Sequence, residues 1–189
     1  MDKFPIKYIV FNGVYSPSED TFLIIDYIKN MDFRGKRILE VGCGCGIVSL
    51  YVSYNGGNVD AVDVDYRAVE NTRYNSKLNG LSVNAFYSDL FSEVKDTYDV
   101  IIFNPPYIEE EDEFEEDIAI IGGTELIIRF IRESVSHLKS DGEILMIMYE
   151  HNDLDRIFDE INKAGYRYTI IARKKLFFEE ILLVNIKWR

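Results

Sequence analysis

Only two of the 189 residues are cysteine, Cys43 and Cys45. Standing one residue apart, they are poorly placed for a structural disulfide, so a stapled secreted scaffold is excluded and a reducing setting is expected. Basic side chains are also scarce: 21 Lys and Arg stand against 33 Asp and Glu, a formal charge of −12 and a pI of about 4.6. That balance argues against affinity drawn from a nucleic-acid backbone, which rests on Lys and Arg contacts. It leaves a small molecule or a basic protein as the better-suited partner, with one local basic patch open at Arg173-Lys174-Lys175. Long apolar runs are missing. The first helical stretch is broken by Asp26, and nothing approaches the roughly 20 residues a membrane helix needs. No signal-peptide pattern opens the chain, so a cytoplasmic protein without membrane contact is expected. The two histidines, His137 and His151, are scattered and read as surface or helix-end residues. Repeats and linkers are absent.

What is present is an apolar fraction of 47% over 189 residues, enough for one domain with a real core and too little for two. A single domain over residues 1–189 is expected, with 1–30 forming an N-terminal lid and first helix. Tyr8-Ile9-Val10-Phe11 reads as a short strand or part of that lid. Ser16-Pro17-Ser18-Glu19 carries the pattern of a capping box with proline at the first helical position. It predicts a helix to about Asn30 with Thr21, Ile24, Ile25 and Ile28 on one face.

Strands and helices then alternate. Strands are expected over Lys36–Val41, Val59–Val64, Leu81–Tyr87, Tyr98–Phe103 and Glu143–Tyr149. Helices are expected over Ile47–Tyr54, Arg67–Leu78, Glu125–Leu138 and Asp153–Ala164. Such alternation implies a parallel sheet with helices on its faces. The alternation breaks after the last of these helices. Tyr166–Ala172 and Glu180–Lys187 have only a loop between them, which reads as an antiparallel hairpin. The biased stretch Glu109 to Asp117 is nearly all carboxylate. It reads as a solvated loop, or more sharply as a lid that attracts a basic partner surface.

Two stretches carry chemistry. Glu40-Val-Gly42-Cys-Gly44-Cys-Gly46 sits between a strand and a helix, where alternating glycines permit a sharp turn and let a ligand touch backbone. Its Gly-x-Gly-x-Gly spacing is not that of the dinucleotide fingerprint. Asp63 ends the following strand, where a ribose-binding carboxylate belongs. Cys43 and Cys45 have no nearby His or Cys partners to complete a tetrahedral metal site, so no metal is expected and both read as small residues packed in the turn. The second stretch is Tyr98 to Tyr107. Its apolar, β-branched run reads as a strand buried on both faces, and Pro105-Pro106 must stop it at Asn104. That places an amide, two rigid units and the Tyr107 ring at the carboxyl edge of a central strand, where open α/β sheets bind ligands.

Glycine loop, helix, strand and terminal Asp63 together resemble the opening motifs of class I S-adenosylmethionine-dependent methyltransferases. Asn104-Pro105-Pro106-Tyr107 resembles the NPPY motif of those that modify a planar nitrogen in adenine, cytosine or glutamine. Such a nitrogen is a poor nucleophile because its lone pair is delocalised. Two acceptors aimed at its hydrogens, the Asn104 side-chain oxygen and the Pro105 carbonyl, would concentrate density on nitrogen and orient it. Pro106 would stiffen the loop and Tyr107 would lie against the planar substrate. Val14-Tyr15-Ser16-Pro17-Ser18-Glu19-Asp20-Thr21 further resembles the opening motif of the HemK-like protein-(glutamine-N5) methyltransferases, in particular their short archaeal and eukaryotic branch.

That resemblance implies a Rossmann-like α/β fold: a mostly parallel seven-stranded sheet with a C-terminal antiparallel hairpin and helices on both faces. It implies S-adenosylmethionine as cofactor, held by Thr21, Glu40, Gly42, Gly44, Asp63, Asp89, Leu90 and Asn104. It implies Asn104, Pro105 and Tyr107 as catalytic residues, and Asn104 to Tyr107 as the substrate grip. The implied substrate is the glutamine of a Gly-Gly-Gln motif in a class I translation release factor. A small zinc-binding activator protein is the implied partner, pairing near Leu81–Tyr87 if that strand lies at the sheet edge. The sequence departs from the family after NPPY, where Gly122-Gly123-Thr124-Glu125 runs directly into an apolar helix behind an acidic loop. Three other readings stay open. One is a nucleic-acid adenine-N6 or cytosine-N4 methyltransferase, disfavoured by the charge and the lack of room for a recognition domain. Another is a lysine methyltransferase, for which an amide grip is ill suited. The last is a cofactor-binding scaffold without catalysis, against which the intact NPPY speaks.

Overall fold

The computed structural model describes residues 5–106, 123–177 and 180–189. Tyr107 and the acidic run Glu109 to Asp117 lie outside the described residues.

Seven strands form one sheet: β1 (Arg37–Val41), β2 (Asn58–Asp63), β3 (Val83–Tyr87), β4 (Tyr98–Phe103), β5 (Leu138–Tyr149), β6 (Tyr166–Lys175) and β7 (Glu180–Trp188). Their order is β3-β2-β1-β4-β5-β7-β6. All neighbouring pairs from β3 to β5 are parallel, and β7 runs antiparallel to both β5 and β6. The expected architecture is therefore present, with one antiparallel strand inserted between two of the others. Among the described residues α1 (Glu19–Ile28) precedes β1, and α2 (Ile47–Tyr54), α3 (Tyr66–Asn79), α4 (Thr124–Ser134) and α5 (Leu154–Lys163) lie between strands.

The period of two along β4 divides the core. Val100 and Ile102 pack with Ile24, Ile28, Ile47 and Val52 of α1 and α2. Ile101 and Phe103 pack with Ile127, Ile131, Ile157 and Ile161 of α4 and α5. Both faces of the central strand are covered, which is why its sequence is a continuous apolar run rather than an alternation. Val69 of α3 joins Cys43, Ala61 and Ala85 in a third cluster beside α2. From β1 the chain steps outward through β2 to β3, then returns to the other side of β1 as β4. The connections above β1 and β4 therefore diverge, and this opens a crevice at their carboxyl ends.

The segment ahead of α1 is neither a strand nor loose. Asn71, Asn75 and Asn79 recur every fourth residue on α3 and act as a ladder for it. Lys7, Ile9 and Phe11 donate their amides to the side-chain oxygens of Asn79 (2.9 Å), Asn75 (3.0 Å) and Asn71 (2.7 Å). The same side chains donate back to the carbonyls of Lys7 and Ile9. Four helical residues rise about 6 Å and two extended residues span about 6.6 Å, so the two repeats keep step. Tyr8 to Phe11 is thus an extended strap paired to helix side chains, which supplies the backbone partners a sheet would have given.

Three local expectations need correction. The first helix begins at Glu19 with Ser18 at its cap, and Ser18 makes no side-chain cap bond. The box from Ser16 to Glu19 does not form because Glu19 pairs instead with Lys174 on β6, while Pro17 and Ser18 run along the rim of the cavity described below. The helix expected to reach Leu138 stops at Ser134. The Ser134 hydroxyl donates to the Ile131 carbonyl, His137 turns back onto the Ser134 carbonyl, and Leu138 is already paired with Tyr98 in the sheet. β5 accordingly starts five residues before Glu143. The remaining bounds differ from expectation by a few residues at most, apart from β6, which runs on to Lys175 to match Glu180 of β7.

Candidate active site

The crevice at the β1–β4 switch point opens into a cavity of about 850 Å3. Thr21, Glu40, Gly42, Gly44, Asp63, Asp89, Leu90, Asn104, Pro105 and Pro106 all line it. The structure thus brings together every sequence-predicted site residue except Tyr107, which lies outside the described residues.

The glycine loop forms its floor. Gly46 has φ +81°, and a Cβ there would stand 2.6 Å from the Thr72 hydroxyl, so only glycine fits. A Cβ on Gly44 would meet nothing nearer than the Tyr15 carbonyl at 3.9 Å, so the space above the loop is left for a ligand. Thr72 donates to the Gly44 carbonyl (3.0 Å) and Asn75 to the Cys45 carbonyl (2.9 Å), pinning the loop from below. Both cysteines are buried, and burial pushes the Cys45 thiol up to about 11, so it is not a thiolate at neutral pH. Among the described residues no three His, Cys, Asp or Glu side chains form a metal-binding group.

Two carboxylates flank the loop. Asp63 accepts the Gly44 amide (3.0 Å) and the Asp65 amide (2.9 Å), and its burial raises its carboxyl above the usual range. Glu40 accepts the amide (2.9 Å) and hydroxyl of Ser49 in the first turn of α2. Burial holds its carboxyl up at about 8. These two groups fit a ligand with hydroxyls to bind. Beyond β3, Leu90 holds a left-handed backbone with φ 48°, a strained state for a non-glycine residue. The Ser88 hydroxyl, which donates to the Leu90 carbonyl at 2.8 Å, secures it. The Asp89 carboxylate beside it is paired with Arg129 of α4.

Asn104 ends β4. Its side-chain nitrogen donates to Asp20 Oδ2 at 3.0 Å. Its Oδ1 is, among the described residues, the one buried side-chain polar atom with no hydrogen-bond partner. Such an atom is costly unless something else satisfies it, and here it belongs to a residue that lines the cavity. Pro105 is buried behind it. Sequence reasoning missed Asp20 and Tyr149. Asp20 is 4% exposed and accepts the Tyr149 hydroxyl at 3.0 Å. A signal did exist: Asp20 stands four and eight residues before Ile24 and Ile28, on the buried face of α1. Arg173 and Lys174, the core of the basic patch, are paired with Glu180 and Glu19.

Comparison with known proteins gives the family of the chain. The family described as "Methyltransferase small domain" matches residues 9–178. A protein of Methanocaldococcus jannaschii named "Putative protein N5-glutamine methyltransferase" is 33% identical, the match covering 97% of this chain and 96% of that one. The ribosomal RNA small subunit methyltransferase C of Chromohalobacter salexigens is 37% identical over 77% of this chain but only 40% of its own length. Among solved structures, that of the E. cuniculi Mtq2-Trm112 complex, responsible for methylation of the eRF1 translation termination factor, superposes with a TM-score of 0.74. It has 22% identity and covers 93% of this chain and 99% of that one. The fold, the glycine loop, the strand-end Asn104 and a family match over most of its length place this chain in the methyltransferase small domain family.

Proposed function

We propose that this methyltransferase uses S-adenosylmethionine to methylate the side-chain amide nitrogen of glutamine, in the Gly-Gly-Gln motif of a class I translation release factor. The observation that carries the reading is the unpartnered, buried Oδ1 of Asn104 at the mouth of β4. An acceptor held in this way is what a substrate N–H would satisfy. Thr21, Glu40, Gly42, Gly44, Asp63, Asp89 and Leu90 hold the cofactor. The open space over Gly44 and the strand-end acid Asp63 suit its ribose, and the buried Glu40 would give up its proton beside a cationic ligand. The cofactor supplies an electrophilic methyl group, and the remaining work falls to the chain.

Asn104 Oδ1 and the Pro105 carbonyl accept the two amide hydrogens, turn the nitrogen toward the methyl and withdraw its lone pair from resonance with the neighbouring carbonyl. Pro106 keeps the two acceptors at fixed separation, and Tyr107 packs against the amide plane. As the nitrogen is alkylated its hydrogens become acidic, and water removes one without a dedicated base. Catalysis is then positioning and electrostatics in a partly dry pocket. The likeness to a protein named as an N5-glutamine methyltransferase over nearly the full chain supports glutamine over a nucleobase. The ion-paired state of Arg173 and Lys174 supports it too. Among the described residues β3 is an edge strand, so its outer side can receive a small activator protein, for which Trm112 beside Mtq2 is the analogy; that this partner binds zinc is carried over from the family resemblance alone.

The test supplies methyl-labelled cofactor to the enzyme together with a release factor and small-subunit ribosomal RNA, with and without an activator protein. Label in the release factor is expected. Label confined to RNA would replace this reading with the nucleobase one.

A further inference from the structure

We infer that Asp20 is a positioning residue that sets which end of the Asn104 amide faces the substrate; the inference rests on the reading of Asn104 given above. An asparagine amide has an acceptor end and a donor end of nearly equal shape, and only its neighbours decide which points where. An acceptor must face the substrate N–H, so a flipped Asn104 would meet donor with donor. Among the described residues one device prevents the flip. An ionised carboxylate offers acceptors alone, and Asp20 Oδ2 lies 3.0 Å from Asn104 Nδ2. Asn104 Oδ1 is thereby turned the other way and left without a partner.

Asp20 is itself fixed by donors. The Tyr15 hydroxyl bridges its oxygens at 3.0 and 2.9 Å, the Tyr149 hydroxyl donates to Oδ2 at 3.0 Å, and the amide and hydroxyl of Thr21 donate to Oδ1. These partners come from the strap ahead of α1, from α1 itself and from the end of β5. The network therefore ties three separate segments to the orientation of one amide. Burial strengthens it: Asp20 and Thr21 are nearly inaccessible, and hydrogen bonds to a carboxylate are the strong ones in such surroundings.

Asp20→Asn separates this role from a merely structural one, because it keeps the shape and alters the polarity. The Thr21 amide cannot turn, so the new side chain keeps its oxygen toward Thr21 and puts its NH2 where Oδ2 was. The Tyr149 hydroxyl rotates to accept from it. Asn104 has no such freedom except to flip, which aims its own NH2 at the substrate. The expected result is a fall in kcat of about 100-fold, with cofactor affinity by calorimetry and melting temperature close to those of the unaltered enzyme. In an Asn104→Ala background Asp20→Asn should cost nothing more, since Asp20 acts through Asn104. Retained kcat in Asp20→Asn, or losses that simply multiply in the double variant, would overturn the inference.

A second readout does not depend on the substrate. The side-chain amide signal of Asn104, identified in 1H–15N spectra by its absence in Asn104→Ala, should move in Asp20→Asn. It should move by less in Tyr149→Phe, the variant to use if Asp20→Asn does not fold. An unmoved signal refutes the device even if glutamine proves not to be the substrate. A wild-type enzyme that leaves glutamine unmethylated refutes the proposed function while this spectrum still decides the role of Asp20.

Discussion

Removing one rung of the asparagine ladder should unsettle both the fold and the cofactor site. Asn75 is fully buried. It donates to the carbonyls of Ile9 and Cys45 at 2.9 Å each and accepts the Ile9 amide at 3.0 Å. In Asn75→Ala these three bonds vanish at about 1 kcal/mol each. Asn71 still reaches the Ile9 carbonyl, but the Cys45 carbonyl is left buried without its partner, a further cost of about 1 kcal/mol or more. The sum is roughly 4 kcal/mol, which for a chain of this size corresponds to a fall in Tm of about 8–16 °C. Differential scanning calorimetry measures it, with Asn79→Ala at the exposed end of the ladder as the control that should lose far less. Because Cys45 belongs to the glycine loop, cofactor affinity should fall as well, although Asn75 does not line the cavity. A drop in Tm no larger than that of Asn79→Ala, with cofactor binding intact, would refute the ladder as the element that joins strap, helix and loop.

Other substitutions probe the site directly. Asn104→Ala should lower kcat about 100-fold by removing the substrate grip while leaving the calorimetric cofactor affinity nearly unchanged; equal losses in both would mean that Asn104 serves the cofactor instead. Asp63→Ala frees the Gly44 and Asp65 amides and should weaken cofactor binding at least about tenfold, since a hydrogen bond to a charged group is worth about 1.5–3 kcal/mol. Burial holds the Glu40 carboxyl up at about 8, against 4.5 for an ordinary glutamate. Between those limits the free folded protein keeps a proton that the unfolded chain has lost. Stability should therefore decline as pH rises from about 4.5 to about 8 and level off above. Urea melts of Glu40→Gln should show a flatter slope over that window, and an identical slope in both proteins would exclude Glu40 as its source.

The parts of this protein that could be read from sequence are those where one local pattern has one physical outcome. The run Val100 to Phe103 is apolar because both of its faces are covered, and the prolines after Asn104 allow no continuation, so β4 and its end were fixed by composition alone. α2 follows the glycine loop at Ile47 and stops at Asn55-Gly56 for equally local reasons. Other features depend on distant partners. Ser16 and Glu19 carry a capping pattern, yet Lys174, more than 150 residues away in the chain, takes the Glu19 carboxylate and the helix starts later. Leu138 fits the helical period of α4, but its pairing with Tyr98 draws it into β5. Asp20 looks like an ordinary first-turn acid, favourable at any helix N-terminus. Its meaning comes from Tyr15, Tyr149 and Asn104, which only the fold assembles. The spacing of Asn71, Asn75 and Asn79 was visible, but what it pairs with was not.

The central claim is that a glutamine amide is the methyl acceptor. Its most direct test incubates the enzyme with S-adenosylmethionine and a release factor bearing a Gly-Gly-Gln motif, adds an activator protein in a parallel reaction, and reads the motif peptide by mass spectrometry. The account predicts one added methyl on the motif glutamine, absent when that glutamine is replaced and sharply reduced with Asn104→Ala. A release factor unmodified with and without the activator, under conditions where the same enzyme methylates RNA, would contradict it.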